Sequence, residues 1–308
     1  MAERPRIDGR REPQRWRRTL VAACAGMLAL AARPRRAKAA GTSVERGRRM
    51  ALVIGVGGYR SGRLVNPVND ARLMANTLRE IGFVVSQHED VPQYEMLDEM
   101  RDWLVKSRDA DVRLFYFAGH GLQSRGRNYL VPVDARVEAG ESIYEQSINL
   151  SSFVSRLSQF RQGVNIVILD ACRNLPPALY ARGPRTRSTS PLSGPGLNML
   201  PAPRGTLVAF ATAPGAVAAD GVGQANSAYT KYLARLLKVP GLPLEQVFKR
   251  VRQFVMQETR DAQTPWESSS LVGDVCLRPL ESGGCGAVDV VPGRGRVVNM
   301  NRLGAGSK

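Results

Sequence analysis

The sequence predicts an α/β protein with a mostly parallel central sheet and helices on both of its faces. Asp111–Phe117 and Asn165–Asp170 are apolar at nearly every position, the pattern of strands buried on both faces. These runs alternate with amphipathic stretches of helical period, the order that builds parallel crossovers. Apolar residues make up 43% of the 308, with 6% aromatics, enough for one sizeable packed domain.

The elements follow in order. Ala51–Gly55 is a first strand, entered from Arg48-Arg49. Gly55, Gly57 and Gly58 follow it, but the turn opens no helix and lacks the third glycine of a dinucleotide loop. Asn66–Asp70 starts an amphipathic helix with Leu73, Met74, Leu78 and Ile81 on one face, closed by Gly82. Phe83–Val85 is the next strand, followed by a polar loop holding His88. A helix over about Tyr94–Arg108 leads to the strand Asp111–Phe117. The helix Ile148–Gln159 leads to the strand Asn165–Asp170. Residues 174–205 form a long exposed loop, with seven prolines between Pro176 and Pro203. Thr206–Ala211 is a further strand, and Tyr229–Leu237 and Pro243–Glu258 are helices. The Gly-rich, basic stretch 280–308 reads as a disordered tail.

The net charge of +17 suggests nucleic-acid binding until its distribution is considered. Residues 1–50 hold 14 Lys+Arg against 4 Asp+Glu, while the remainder holds 30 against 23. Much of the basicity belongs to an N-terminal segment, and no basic stripe interleaved with aromatics follows, so no nucleic-acid partner is expected. Residues 1–40 resemble an export signal: Arg17-Arg18 precede the apolar run Leu20–Ala32, and Ala37-Lys38-Ala39 suits a cleavage site. The twin arginines suit twin-arginine export to a periplasmic or extracellular destination. The alternatives are a basic extension on a cytoplasmic protein, or a start at Met27 or Met50. No stretch has the ~18–20 apolar residues of a membrane span, so none is expected in the mature chain. Cys276 and Cys285 could pair after export or stay as thiols. Neither lies at metal-ligand spacing from a His or another Cys, so no metal site is expected.

Two apolar runs end in reactive side chains: Phe115–Gly121 in Gly119-His120-Gly121, and Ile166–Arg173 in Asp170-Ala171-Cys172. In open parallel sheets ligands bind beyond the carboxyl ends of strands. A thiolate is a strong nucleophile, and a neighbouring imidazole can take its proton and later protonate a leaving amine. The backbone N–H groups of Gly121 and Cys172 are candidates for stabilising the oxyanion. The order His then Cys, 52 residues apart, matches the spacing of a known peptidase signature.

Residues from about Arg49 to Pro279 resemble the bacterial caspase-like proteins related to metacaspases and caspases. The matching stretches include Ala51–Gly55, Asn69-Asp70-Ala71, Tyr116–Gly121, Asn128–Pro132 and Leu169–Arg173. Ala211–Gly215 and Pro265–Ser269 follow. The resemblance implies a caspase-like three-layer sandwich over 49–279 and a His120–Cys172 dyad endopeptidase acting on proteins or peptides. It implies no metal or organic cofactor in the chemistry. Calcium activation is open, since no run resembles an EF-hand loop.

In metacaspases an acidic pocket selects Arg or Lys before the scissile bond. The pocket acids map onto Asp70 and Asp170, with Asp220 as a third candidate. The alternative role for Asp70 is a helix N-cap, and that for Asp220 is an ordinary turn. The chain departs from the metacaspase pattern at Ala118 and Ala171, where Ser is usual. The loop after Cys172 lies where caspase-like chains are cut into two subunits, and offers Arg182, Arg185 and Arg187 for self-cleavage. The expected function is thus a cysteine endopeptidase cleaving after basic residues. An interaction module on the same fold is the alternative, and an acyl transferase using the same pair is a third.

Overall fold

Arg49–Gly55 is buried at all seven positions and forms β1, a strand near the middle of the sheet. The computed structural model describes residues 47–124, 126–136, 143–160, 162–172, 197, 200–213, 223–286, 288–290 and 297–299, with backbone alone at 124, 172, 288–290 and 297–299. β1 pairs in parallel with β2 (Val84–Glu89) on one side and β3 (Val112–Ser124) on the other. β4 (Arg127–Leu130) and β5 (Ile148–Asn149) form a short antiparallel extension of β3. β6 (Val164–Cys172) and β7 (Thr206–Phe210) continue the parallel sheet, and the antiparallel strand β8 (Trp266–Ser269) closes it. The resulting order is β2-β1-β3-β6-β7-β8.

Successive residues of a strand point to opposite faces, so each apolar run supplies two cores. Ala51, Val53, Tyr116 and Ile168 join a layer containing α1 (Pro67–Glu80), α4 (Ala228–Leu237) and α5 (Leu244–Thr259). Leu52, Ile54, Phe117 and Leu169 join the opposite layer with α2 (Gln93–Lys106) and α3 (Leu150–Leu157). A fully buried side chain of this size contributes about 1.5–3 kcal/mol, so the continuous apolar runs are what fix the layers. The three-layer expectation holds.

Several boundaries differ from the sequence reading. β3 does not stop at Phe117 but runs through His120 to Ser124. Past Phe117, β6 pairs along one side and β4 takes over on the other where β1 ends at Gly55. β2 extends to Glu89, so His88 lies in an edge strand opposite Ile54 and not in a loop. β8 is short and largely polar and escaped the apolar criterion. The stretch expected to be a disordered tail from 280 on departs from that expectation in part. Cys285 is disulfide-bonded to Cys276, with Cα atoms 5.6 Å apart. β9 (Val288–Val290) and β10 (Val297–Asn299) then pair antiparallel. Both strands are three residues long, too short to stand out against the surrounding glycines.

Candidate active site

Parallel pairing of β3 with β6 sets His120 directly opposite Cys172 at the carboxyl ends of adjacent strands. The backbone alone therefore brings the two reactive residues together across 52 positions of sequence. His120 is buried, and its Nε2 lies 2.6 Å from the Gly62 carbonyl oxygen. A carbonyl only accepts, so Nε2 carries the proton and the basic lone pair belongs to Nδ1. The same carbonyl would favour the imidazolium formed when Nδ1 takes a proton.

Tyr59 fixes the backbone around His120. Its hydroxyl accepts the His120 N–H at 2.9 Å and donates to the Val131 carbonyl at 3.0 Å, with its ring 4.5 Å from the imidazole. Gly119 makes room for this: at φ +154° its Cβ would stand 2.7 Å from the Tyr59 hydroxyl and 3.0 Å from the Val56 carbonyl oxygen. Tyr59 and Gly62 were missed in the sequence, where only a glycine-containing loop after β1 marked the region.

Val131 donates its N–H to the His120 carbonyl at 3.0 Å, while Gly121 sits opposite Leu130. Gly121–Leu130 is thus a non-hydrogen-bonded antiparallel pair, and the Gly121 N–H points away from β4 to the side of β6, the strand of Cys172.

Two acids lie on the α1–α4 side. Asp70 is the fourth residue of α1, inside the helix, and Asn66 holds the cap position. The N-cap alternative for Asp70 is therefore excluded. Its carboxyl is 2% exposed and accepts Asn226 Nδ2 at 2.9 Å and the Ser227 N–H at 3.0 Å. Asp170 lies opposite Ala118 in the β3–β6 ladder and is also buried. Its Oδ2 accepts the Ser227 hydroxyl at 2.6 Å and the Thr230 hydroxyl at 2.7 Å. The Tyr116 hydroxyl supports Thr230 Oγ1 from behind at 2.6 Å. Ser227 thus joins the two acids while its Oγ caps α4 by accepting the Thr230 N–H. The amino end of a helix favours negative charge. Even so, burial first, and the Asp170 charge second, push the Asp70 carboxyl up from 3.8 to about 8. Burial, then Asp170, also pushes the Tyr116 and Tyr229 hydroxyls well above their ordinary value. Asn226, Ser227 and Thr230 escaped the sequence reading, since nothing local marks a Ser, Asn or Thr as facing a distant carboxylate.

Other candidates resolve differently. The amides of Gly57 and Gly58 both donate to Asp90 Oδ1, at 2.7 and 2.8 Å, so the glycine turn is occupied by the chain's own carboxylate and not shaped for a phosphate. His88 Nε2 meets both Ser86 Oγ at 2.9 Å and Glu99 Oε2 at 3.2 Å. A relay needs different ring nitrogens for its two partners, so this cluster is no second dyad. Asp220, Arg182, Arg185 and Arg187 lie outside the described residues. Among the described residues no three His, Cys, Asp or Glu side chains converge as metal ligands, and no helix is long and apolar enough to cross a membrane.

A family model of the caspase domain matches residues 48–276, from the entry of β1 to the disulfide. The chain belongs to the caspase family. The human mucosa-associated lymphoid tissue lymphoma translocation protein 1 is 30% identical over 126 residues. Its mouse homolog is 29% identical over 126 residues. In both cases the match covers 41% of this chain and spans only 15% of the relative's length. Caspase-1 from Spodoptera frugiperda superposes with a TM-score of 0.57 at 16% identity, covering 77% of this chain and 92% of that one. At that identity the likeness establishes the caspase fold.

Proposed function

We propose that this caspase-family chain is a cysteine endopeptidase that uses His120 and Cys172 and cleaves after Arg or Lys. The observation that carries the reading is the registered pair His120–Cys172, with the His120 ring held through Nε2 by the Gly62 carbonyl. Cys172 Sγ gives its proton to His120 Nδ1, and the thiolate attacks the scissile carbonyl carbon. The Gly121 and Cys172 amides face the oxyanion of the tetrahedral intermediate. As the C–N bond breaks, His120 returns the proton to the leaving amine, leaving a thioester on Cys172. Water, deprotonated by His120, attacks the thioester and releases the carboxyl product and the thiol. The Asp70–Asp170 pair provides the negative charge for a basic side chain, because two buried carboxylates favour a cation between them.

Self-cleavage after Arg182, Arg185 or Arg187 belongs to the same proposal. So does export: the Cys276–Cys285 pairing suits an oxidising compartment, and N-terminal sequencing of the mature, fractionated chain checks it.

Turnover of arginyl, lysyl and aspartyl fluorogenic peptides, with and without calcium, tests the activity. Basic peptides should be cut and aspartyl ones spared. Cys172→Ala should abolish turnover and leave the chain uncut between residues 174 and 205. Absence of any Cys172-dependent turnover would leave the fold as an interaction module.

A further inference from the structure

On the sheet face away from α1, helices α2 and α3 lie side by side with a groove between them. Its floor is apolar: Leu97, Met100 and Leu104 of α2 meet Ile148 and Phe153 across a cavity of about 240 Å³. The spacing 97, 100 and 104 keeps these side chains on one helical stripe. Arg101 and Arg156 line the same cavity and are both exposed; Arg101 Nη1 also stands 3.6 Å from Asp98 Oδ1, an exposed pair that an incoming carboxylate would have to compete with.

Toward the carboxyl ends of the two helices the groove opens into a cleft of about 930 Å³, which Arg101 and Arg156 share and to which Arg108 and Arg113 are added. Arg113 is buried, and its guanidinium hydrogen-bonds to carbonyls while the charges of Asp109 and Asp111 act on it from the cleft wall. It donates to Ser107 at 2.8 Å, to Gln162 at 2.9 Å and to Arg108, and it lies over the Phe160 ring. The acids of the cleft wall are Asp109 and Asp111, two against four arginines. Asp111 is engaged by the Arg48 N–H at 2.7 Å, and Asp109 stands 3.9 Å from Arg108. The combined surface is therefore an apolar floor with an excess of positive charge.

Its position separates it from the peptidase site. The cleft lies at the entering ends of β3 and β6, and at ~3.3 Å per residue Val112 is roughly 26 Å along β3 from His120. Charge also selects the occupant. Residues 1–50 of this chain carry ten surplus basic groups, so that segment is repelled. A groove along the 14-residue α2 is about 20 Å long, room for roughly six extended residues.

We infer that the α2–α3 groove docks an acidic, leucine-bearing segment of a partner protein. Carboxylates of that segment meet Arg101 and Arg156, and its leucine side chains enter the floor between Leu97 and Phe153.

The test uses the full-length Cys172→Ala protein, so that it is independent of catalysis, and fluorescence anisotropy with a labelled peptide of alternating Glu and Leu. Saturable binding is expected, weakened at least about tenfold by Arg101→Glu/Arg156→Glu and by raised salt. A Glu–Gly peptide of equal charge should bind at least about tenfold more weakly, because it lacks the apolar contacts. Arg156→Gln alone provides the milder variant should the double reversal not fold, and should weaken binding in the same direction. In the active background these variants should cut a short arginyl peptide at the unchanged rate. Equal binding by the charge-reversed protein overturns the inference, as does equal binding of the Glu–Gly peptide. Self-association that sedimentation shows to vanish on charge reversal would assign the groove to a second copy and also overturn it.

Discussion

Varying the pH between about 6 and 9 titrates Asp70, which burial and the Asp170 charge push from 3.8 to about 8. A basic side chain entering between the two acids selects the ionised carboxylate, so below about pH 8 it must first expel a proton. Each pH unit below that point costs about tenfold in apparent affinity. An arginyl peptide should therefore bind about 100-fold more weakly near pH 6 than on its plateau above about pH 9. Equilibrium binding of a fluorescent arginyl peptide to Cys172→Ala reads this without interference from the catalytic thiol. Asp70→Asn should lower the plateau and flatten the profile. Calorimetry in buffers of different ionisation enthalpy should register close to one proton released near about pH 6.5. Stability should run the other way. Because the folded pKa lies above the unfolded one, the folded chain holds a proton that the unfolded chain has released. The stabilisation is complete below about pH 4 and is lost as the pH rises through about 8. Denaturant melts should show this slope in the wild type and not in Asp70→Asn. A flat binding profile in the wild type, or an equal slope in Asp70→Asn, would refute the acidic-pocket reasoning.

Ser227→Ala removes the hydroxyl that donates to Asp170 at 2.6 Å and caps α4. Hydrogen bonds to charged groups contribute about 1.5–3 kcal/mol, so KM for arginyl peptides should rise about tenfold or more with kcat little changed. Ser227→Thr, which keeps a hydroxyl, should restore it. Gly119→Ala places a Cβ 2.7 Å from the Tyr59 hydroxyl at φ +154°. It should cost about 1–3 kcal/mol in denaturant melts together with most of the turnover. A melt equal to wild type would show that Tyr59 does not require the glycine.

The layered architecture was legible because strands buried on both faces must be apolar at nearly every position. Ala51–Gly55 and Ile166–Leu169 meet that condition without help from the rest of the chain. Helix existence was legible for the same reason, through the 3.6-residue period of Leu73, Met74, Leu78 and Ile81. Short polar elements such as β8, and the continuation of β3 past Gly119, were not. Their strand character comes from partners distant in sequence.

The sequence by itself offered the two strand-end residues His120 and Cys172, their order and spacing, and, through the family resemblance, three candidate acids. The tertiary structure alone decided what surrounds them. Register set His120 opposite Cys172. Gly62, 58 residues before His120, fixes the ring tautomer through one carbonyl. Ser227, 157 residues after Asp70, connects the two acids through its N–H and its hydroxyl. A backbone carbonyl or a single hydroxyl carries no distinguishing mark in a sequence, because every residue has the one and many have the other. Only the packing of α4 against β6 and of the β1–α1 loop against β3 gives these groups a direction, and direction is what makes a hydrogen bond.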